Sequence, residues 1–89
     1  MKVLQTSTFQ RAVKKLYGTQ KKSLDDTIKT LIQNPLLGQQ KCGDLQHIRV
    51  FKFSLSRQQM LLAYTYQDDT LTLMALGSHE NFYRDLKRS

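Results

Sequence analysis

The stretch Leu45–Leu76, LQHIRVFKFSLSRQQMLLAYTYQDDTLTLMAL, decides the fold. Leu45 to Leu55 (LQHIRVFKFSL) and Gln58 to Tyr66 (QQMLLAYTY) are rich in branched and aromatic residues, the composition that suits a pleated, half-buried surface. Asp68-Asp69 is a tight-turn signal, and Thr70 to Leu76 (TLTLMAL) supplies a third strand. Three strands joined this closely form a meander. In HIRVFKF, strand alternation puts His47, Arg49, Phe51 and Phe53 on one face and Ile48, Val50 and Lys52 on the other. The aliphatic Ile48/Val50 set is expected inward, which turns Arg49 and the aromatics to the open face and leaves Lys52 near a strand end or edge. The opposite sorting fits the same alternation.

Upstream of the meander the period changes. Lys2 to Thr6 (KVLQT) is a short strand, after which Ser7 or Thr8 can cap a helix. Phe9, Ala12, Val13, Leu16 and Tyr17 recur at spacings of three and four, the period of one helix face. Gly18 is expected to end that helix and Thr19 to cap a second. This one carries Leu24, Ile28, Leu31 and Ile32 as its apolar stripe, with Asp25 and Asp26 in its early turns. Asn34-Pro35 stops it, because proline disfavours helical geometry in the residue before it. Residues 36–44 (LLGQQKCGD) form a loop. After Gly77-Ser78, His79 to Arg88 (HENFYRDLKR) make a short terminal helix, with Glu80 in its first turn and Lys87 and Arg88 in its last. The predicted architecture is α+β, in the order β-α-α-β-β-β-α, with the helix pair packed on one face of a small, mainly antiparallel sheet.

Eighty-nine residues suit a single domain spanning 1–89, with no repeats and no low-complexity segment. Fourteen Lys+Arg against seven Asp+Glu give a formal charge of +7, and the basic residues run through the whole chain with no single tail. That excess steers the protein toward polyanions: nucleic acid, a ribosome, an acidic partner or an anionic surface. The lone Cys42 excludes an intrachain disulfide. No apolar run approaches the roughly 20 residues of a membrane span, and the first residues lack a signal-peptide core, so a cytoplasmic location and no membrane partner are expected.

Gly-rich phosphate loops, paired-cysteine metal sites and serine-triad motifs are absent, and two histidines with one cysteine fit no zinc spacing. Neither metal nor cofactor is expected. What remains is a set of cationic and imidazole groups in the second half: Lys41, His47, Arg49, Lys52, Arg57, His79 and Arg84, with Tyr83 among them. His79 follows a strand and begins a helix, and Tyr83 lies one turn on, at i+4, so both can face the same space. A histidine there can simply cap the helix. Beside a phosphate it can also move protons near neutral pH, while Arg and Lys stabilise the charged transition state. Such a set suits metal-free cleavage of RNA, because DNA lacks the 2′-hydroxyl nucleophile.

Over essentially its full length the chain resembles the RelE/ParE superfamily of bacterial type II toxins. The resemblance runs through the first strand, the helix pair ending in NPLLG, LQHIRVFKF, LLAYTY and LTLMALGSHENFYRDLK. Its most specific piece is Gly77-Ser78-His79 with Phe82, which is similar to the G-[ST]-H-x-x-[LF]-F ending of YafQ-like members. The resemblance carries a catalytic acid/base role to His79 and an active-site role to Phe82. Departures are present. The arginine that precedes the L-V-Y run in RelE proper falls at Met60 or Leu61, with Arg57 its substitute if the register allows. The lysine-rich second strand is reduced to Arg49 and Lys52, and His47 is the only other histidine.

Taken together, the residue pattern and the resemblance make His79, Arg49, Lys52 and Tyr83 the expected catalytic residues, and Lys41, His47, Arg57, Phe82 and Arg84 the expected RNA-binding residues. The implied activity is ribosome-dependent cleavage of mRNA, causing growth arrest. The implied partners are the ribosome and mRNA and a cognate antitoxin that wraps the basic surface and covers or displaces the terminal helix. Operator DNA would be contacted only through the antitoxin complex. Gyrase inhibition of the ParE type, or an antitoxin-binding module of weak catalytic power, are the alternatives.

Overall fold

The computed structural model describes residues 1–40, 47–55 and 57–78. Its elements are β1 (Lys2–Gln5), α1 (Ser7–Lys14), α2 (Gly18–Gln33), β2 (Gln39–Gln40), β3 (Arg49–Leu55), β4 (Gln58–Gln67) and β5 (Thr70–Gly77). They form one five-stranded sheet in the order β1-β5-β4-β3-β2, with β1 parallel to β5 and every other pair antiparallel. The predicted α+β architecture is therefore present, with one addition: the loop after α2 contains the two-residue strand β2 at the sheet edge. The expected terminal helix, with His79, Phe82, Tyr83 and Arg84, and the expected site residue Lys41 lie outside the described residues.

Local chemistry explains the element ends, and corrects three expectations. Thr6, rather than Ser7 or Thr8, caps α1: its Oγ1 accepts from the Phe9 N–H at 3.1 Å and its hydroxyl donates to the Met74 carbonyl at 2.7 Å. One threonine thus ties the helix start to the sheet. Gly18 opens α2 rather than closing α1, since Tyr17 takes the extended backbone of an N-cap. That shift leaves no acidic residue in the first turn and moves Asp25 and Asp26 to mid-helix. Asn34-Pro35 ends α2 as the sequence requires. Asp68 and Asp69 both take positive φ, 52° and 57°, the backbone of a two-residue turn whose twist matches the strands it joins.

α1 packs on β5 and α2 over β3. Between helices and sheet lie Phe9, Leu24 and Leu31 from the helices with Leu62, Tyr64, Leu71, Leu73 and Leu76 from the strands. Phe51 and Phe53 pack against this cluster, their rings stacked with centroids 6.4 Å apart. The expected sorting of β3 is therefore reversed. Phe51, Phe53 and Arg49 face the helices, and Ile48 and Val50 face the other way, joining Leu61, Ala63 and Ala75 in a second buried cluster. The reason is volume: two phenylalanines fill the space under a helix layer better than the smaller aliphatics, which suit a shallower layer.

Candidate functional site

Arg49 and Lys52 stand three residues apart on β3 and so point to opposite faces. Arg49 pairs with Tyr64 across the ladder, on the helix side. Its Nη1 donates to the carbonyls of Gly38, at 2.9 Å, and Leu36, at 3.3 Å. Tyr64 completes the arrangement: its hydroxyl donates to the Pro35 carbonyl at 2.7 Å and accepts from the Gly38 N–H at 2.8 Å. The NPLLG turn is thereby clasped to the sheet by two side chains. Gly38 is needed there for space, because a Cβ would sit 2.6 Å from the Tyr64 hydroxyl oxygen. Burial pushes the Tyr64 phenol up from its ordinary pKa, partly opposed by the Gly38 hydrogen bond and the Arg49 charge. Sequence reasoning missed Tyr64 altogether; a tyrosine amid the apolar run LLAYTY, with a Pro-x-x-Gly turn to satisfy, was the available signal.

Lys52 has the opposite surroundings. It is exposed, and no hydrogen bond or ion pair engages it among the described residues. Register places it in a cross-strand row: Lys52 pairs with Leu61 of β4, and Leu61 pairs with Gly77 of β5. Paired residues share a face, so Lys52 and Gly77 lie on the same side of the sheet, two strand spacings or about 10 Å apart. Gly77 is two residues before His79. The face they share is buried toward one end by Val50, Ala63 and Ala75 and opens at the other through Lys52, Ser54 and Gln59. The bulge between Ala63 and Tyr64 against β5 makes this possible. It inserts Met74 and puts the end of β5 in phase with Leu61 and Lys52.

The β3–β4 hairpin runs three residue pairs beyond the Lys52–Leu61–Gly77 row, and at its turn is Arg57. Arg57 is exposed and takes φ 69°, a conformation that glycine or asparagine fills more cheaply. At the β2 edge an open cleft of about 260 Å³ is lined by Leu37, Gln39, Val50, Phe51 and Lys52. Lys52 thus borders both this cleft and the open part of the sheet face. His47 is exposed in the turn before β3. Among the described residues, then, Lys52 and Arg57 are brought to the end of the sheet from which the GSHENF segment departs, while Arg49 is drawn into the clasp on the opposite face. No three His, Cys, Asp or Glu side chains gather among the described residues. No helix among them is long and apolar enough to cross a membrane.

Residues 3–87 match the family described as ParE-like toxin of type II bacterial toxin-antitoxin system. No curated protein sequence matches the chain. Among solved structures, a mutant of the Escherichia coli toxin RelE in the free state superposes with a TM-score of 0.75 at 15% identity, covering 98% of this chain and 94% of that one. The toxin chain in the intact E. coli RelBE toxin-antitoxin complex gives 0.71 at 16% identity, covering 89% and 96%. A copper-bound mutant toxin from Helicobacter pylori gives 0.69 at 26% identity, covering 91% and 97%. The two E. coli likenesses establish the fold.

Proposed function

The chain belongs to the ParE-like toxins of type II bacterial toxin–antitoxin systems, and from that premise we propose that it is a ribosome-dependent endoribonuclease that cuts mRNA and arrests growth. The observation that carries this reading is the row Lys52–Leu61–Gly77, which sets an exposed lysine, without a polar partner among the described residues, on the same sheet face as Gly77. In the reaction, a general base removes the proton from a ribose 2′-hydroxyl, and that oxygen attacks the adjacent phosphorus in line. The bond to the 5′-oxygen breaks, and an acid returns a proton to it. His79 serves as acid/base, a role that suits an imidazole near neutral pH. Lys52 and Arg57 stabilise the charge that accumulates on the phosphoryl oxygens. Tyr83, Phe82 and Arg84 follow His79 closely in sequence and contribute to the same chemistry, and Lys41 and His47 are the further RNA-binding candidates that precede β3 in sequence. Arg49 holds the NPLLG turn that borders the cleft and takes no part in the reaction.

A cognate antitoxin is the proposed partner that silences the toxin, by analogy with the RelBE complex. Operator DNA is reached through that complex. Membership of the ParE-like toxins keeps one second reading, the inhibition of DNA gyrase that the resemblance to ParE implies.

Inducible expression followed by mapping of mRNA 5′ ends, with and without translation, tests both. Translation-dependent cuts at codon positions are expected; intact mRNA with double-strand DNA breaks would instead assign the protein to gyrase. His79→Ala should abolish growth arrest while leaving antitoxin binding intact. Undiminished arrest from that variant would sink the nuclease reading.

A further inference from the structure

The elbow between α1 and α2 has the sequence KKLYGTQKK, Lys14–Lys22. Residues 1–24 contain six Lys or Arg and no Asp or Glu, while the remaining 65 contain eight and seven. Six of the seven net positive charges are therefore concentrated in the first quarter of the chain. Four of those six, Lys14, Lys15, Lys21 and Lys22, bracket Tyr17, and all four are exposed. The one ion pair among the described residues lies elsewhere, between the N-terminal amine and Asp69.

Tyr17 was expected on the apolar face of α1. It is instead 77% exposed, whereas Phe9 on that helix is 1% exposed. Its backbone is nevertheless fixed. The Tyr17 N–H donates to Gln20 Oε1 at 2.9 Å, and its carbonyl accepts from the Lys21 N–H at 2.9 Å. The preceding residues are held too, through Lys15 N–H to the Ala12 carbonyl and Leu16 N–H to the Val13 carbonyl. Space beside it is open, since a Cβ at Gly18 would meet nothing within 4 Å. A ring left in water on an anchored backbone, bracketed in sequence by two pairs of exposed lysines with no ion pair among the described residues, suits a flat ligand that carries negative charge on either side.

We propose that this elbow binds a single-stranded polynucleotide, with one base stacked on Tyr17 and the neighbouring phosphates on Lys14, Lys15, Lys21 and Lys22. Stacking on an aromatic ring with cations following the backbone is the general solution for single strands, because every base has a π-face. A lipid surface fits less well. Tyr17 is the only exposed large apolar side chain between residues 14 and 22, too little to anchor a membrane-bound face. α2 separates the elbow from the NPLLG turn and its cleft by 16 residues, about 24 Å of helix. The site is thus a second nucleic-acid contact, which goes beyond the cleavage reaction and does not depend on it.

Binding of fluorescent, unstructured 12-nucleotide RNA and DNA to the full chain, followed by anisotropy at several salt concentrations, tests the assignment. Tyr17→Ala should weaken binding about tenfold, and Tyr17→Phe less than twofold, since the ring and not the hydroxyl carries the stack. Lys14→Gln with Lys15→Gln should reduce the slope of log affinity against log salt by about 1.4, two phosphate contacts at roughly 0.7 each. Thermal melts should be unchanged in all three, because the side chains are exposed. Equal affinity for RNA and DNA, or a preference for RNA, both support the site. It is overturned if Tyr17→Ala binds both oligonucleotides like the parent, or if Tyr17→Phe is as weak as Tyr17→Ala. It is equally overturned if vesicles of anionic phospholipid, and neither oligonucleotide, bind in a Tyr17-dependent way. The nuclease reading is tested by mRNA cleavage and this one by Tyr17-dependent oligonucleotide binding, so failure of the one and failure of the other give different results.

Discussion

The start and the middle of β3 use the same kind of residue in contrary ways. At its start, Arg49 spends its guanidinium on two backbone carbonyls of the NPLLG turn, beside a tyrosine that holds the same turn. Three residues on, Lys52 faces the other side of the sheet with no polar partner among the described residues. The difference teaches that a cation on a strand is assigned its task by the groups it meets. A planar guanidinium with several donors can satisfy two carbonyls at once and suits a turn with carbonyls to satisfy. A lone ammonium on an open face stays available for an incoming anion.

The largest effect expected from breaking this contrast is at Gly38. Gly38→Ala places a Cβ against a phenol that two hydrogen bonds hold in place. The overpacking should cost about 1–3 kcal/mol. By calorimetry that is a fall of roughly 5–20 °C in melting temperature for a domain of this size. An unchanged melt would mean that the turn moves freely and that the clasp constrains nothing. Next comes the pair itself. Arg49→Ala should destabilise by about 1–2 kcal/mol through the carbonyls it leaves, and retain cleavage at temperatures where it stays folded. Lys52→Ala should melt within about 0.5 kcal/mol of the parent, yet cleave at least tenfold more slowly. If both variants lose cleavage equally without a change in melting, the two cations share one role and the contrast fails.

A smaller effect follows from the raised Tyr64 pKa. The folded state holds the phenolic proton more tightly than the unfolded chain, whose tyrosine ionises near 10.0. Stability from this group is therefore complete below that pH and is lost as pH rises through the folded-state value. Urea melts between pH 8 and pH 11 should show this decline in the parent and less of it in Tyr64→Phe. The smallest effect is at the hairpin turn. Arg57→Gly removes a side chain from positive φ and should stabilise by about 0.5–1 kcal/mol, while slowing cleavage. Unimpaired cleavage by that variant would remove Arg57 from the site.

Two of the hairpin turns show how far such features were legible. Asp68-Asp69 announced a turn because aspartate tolerates left-handed backbone, and the turn lies there. Arg57 did not, because arginine is no turn residue; its conformation follows from the pairing of Leu55 with Gln58. Tyr17 was misplaced for a related reason. A tyrosine one residue past Leu16 continues the helical period on paper, yet the chain turns into α2 there and leaves the ring outside.

The sequence by itself determined the helix pair, the stop at Asn34-Pro35, the strand meander and its turn, and, through GSHENF and the surrounding pattern, the superfamily. These rest on backbone chemistry and on the periods 3.6 and 2, which act over a few residues. The tertiary structure alone decided which face of β3 looks toward the helices, and with it the separation of Arg49 from Lys52. It also decided that Lys52 shares a row with Gly77 and that Tyr64 closes on Gly38. A period of two divides a strand into two faces without ranking them. Only the volume under α1 and α2, filled by Phe51 and Phe53, chose between the two.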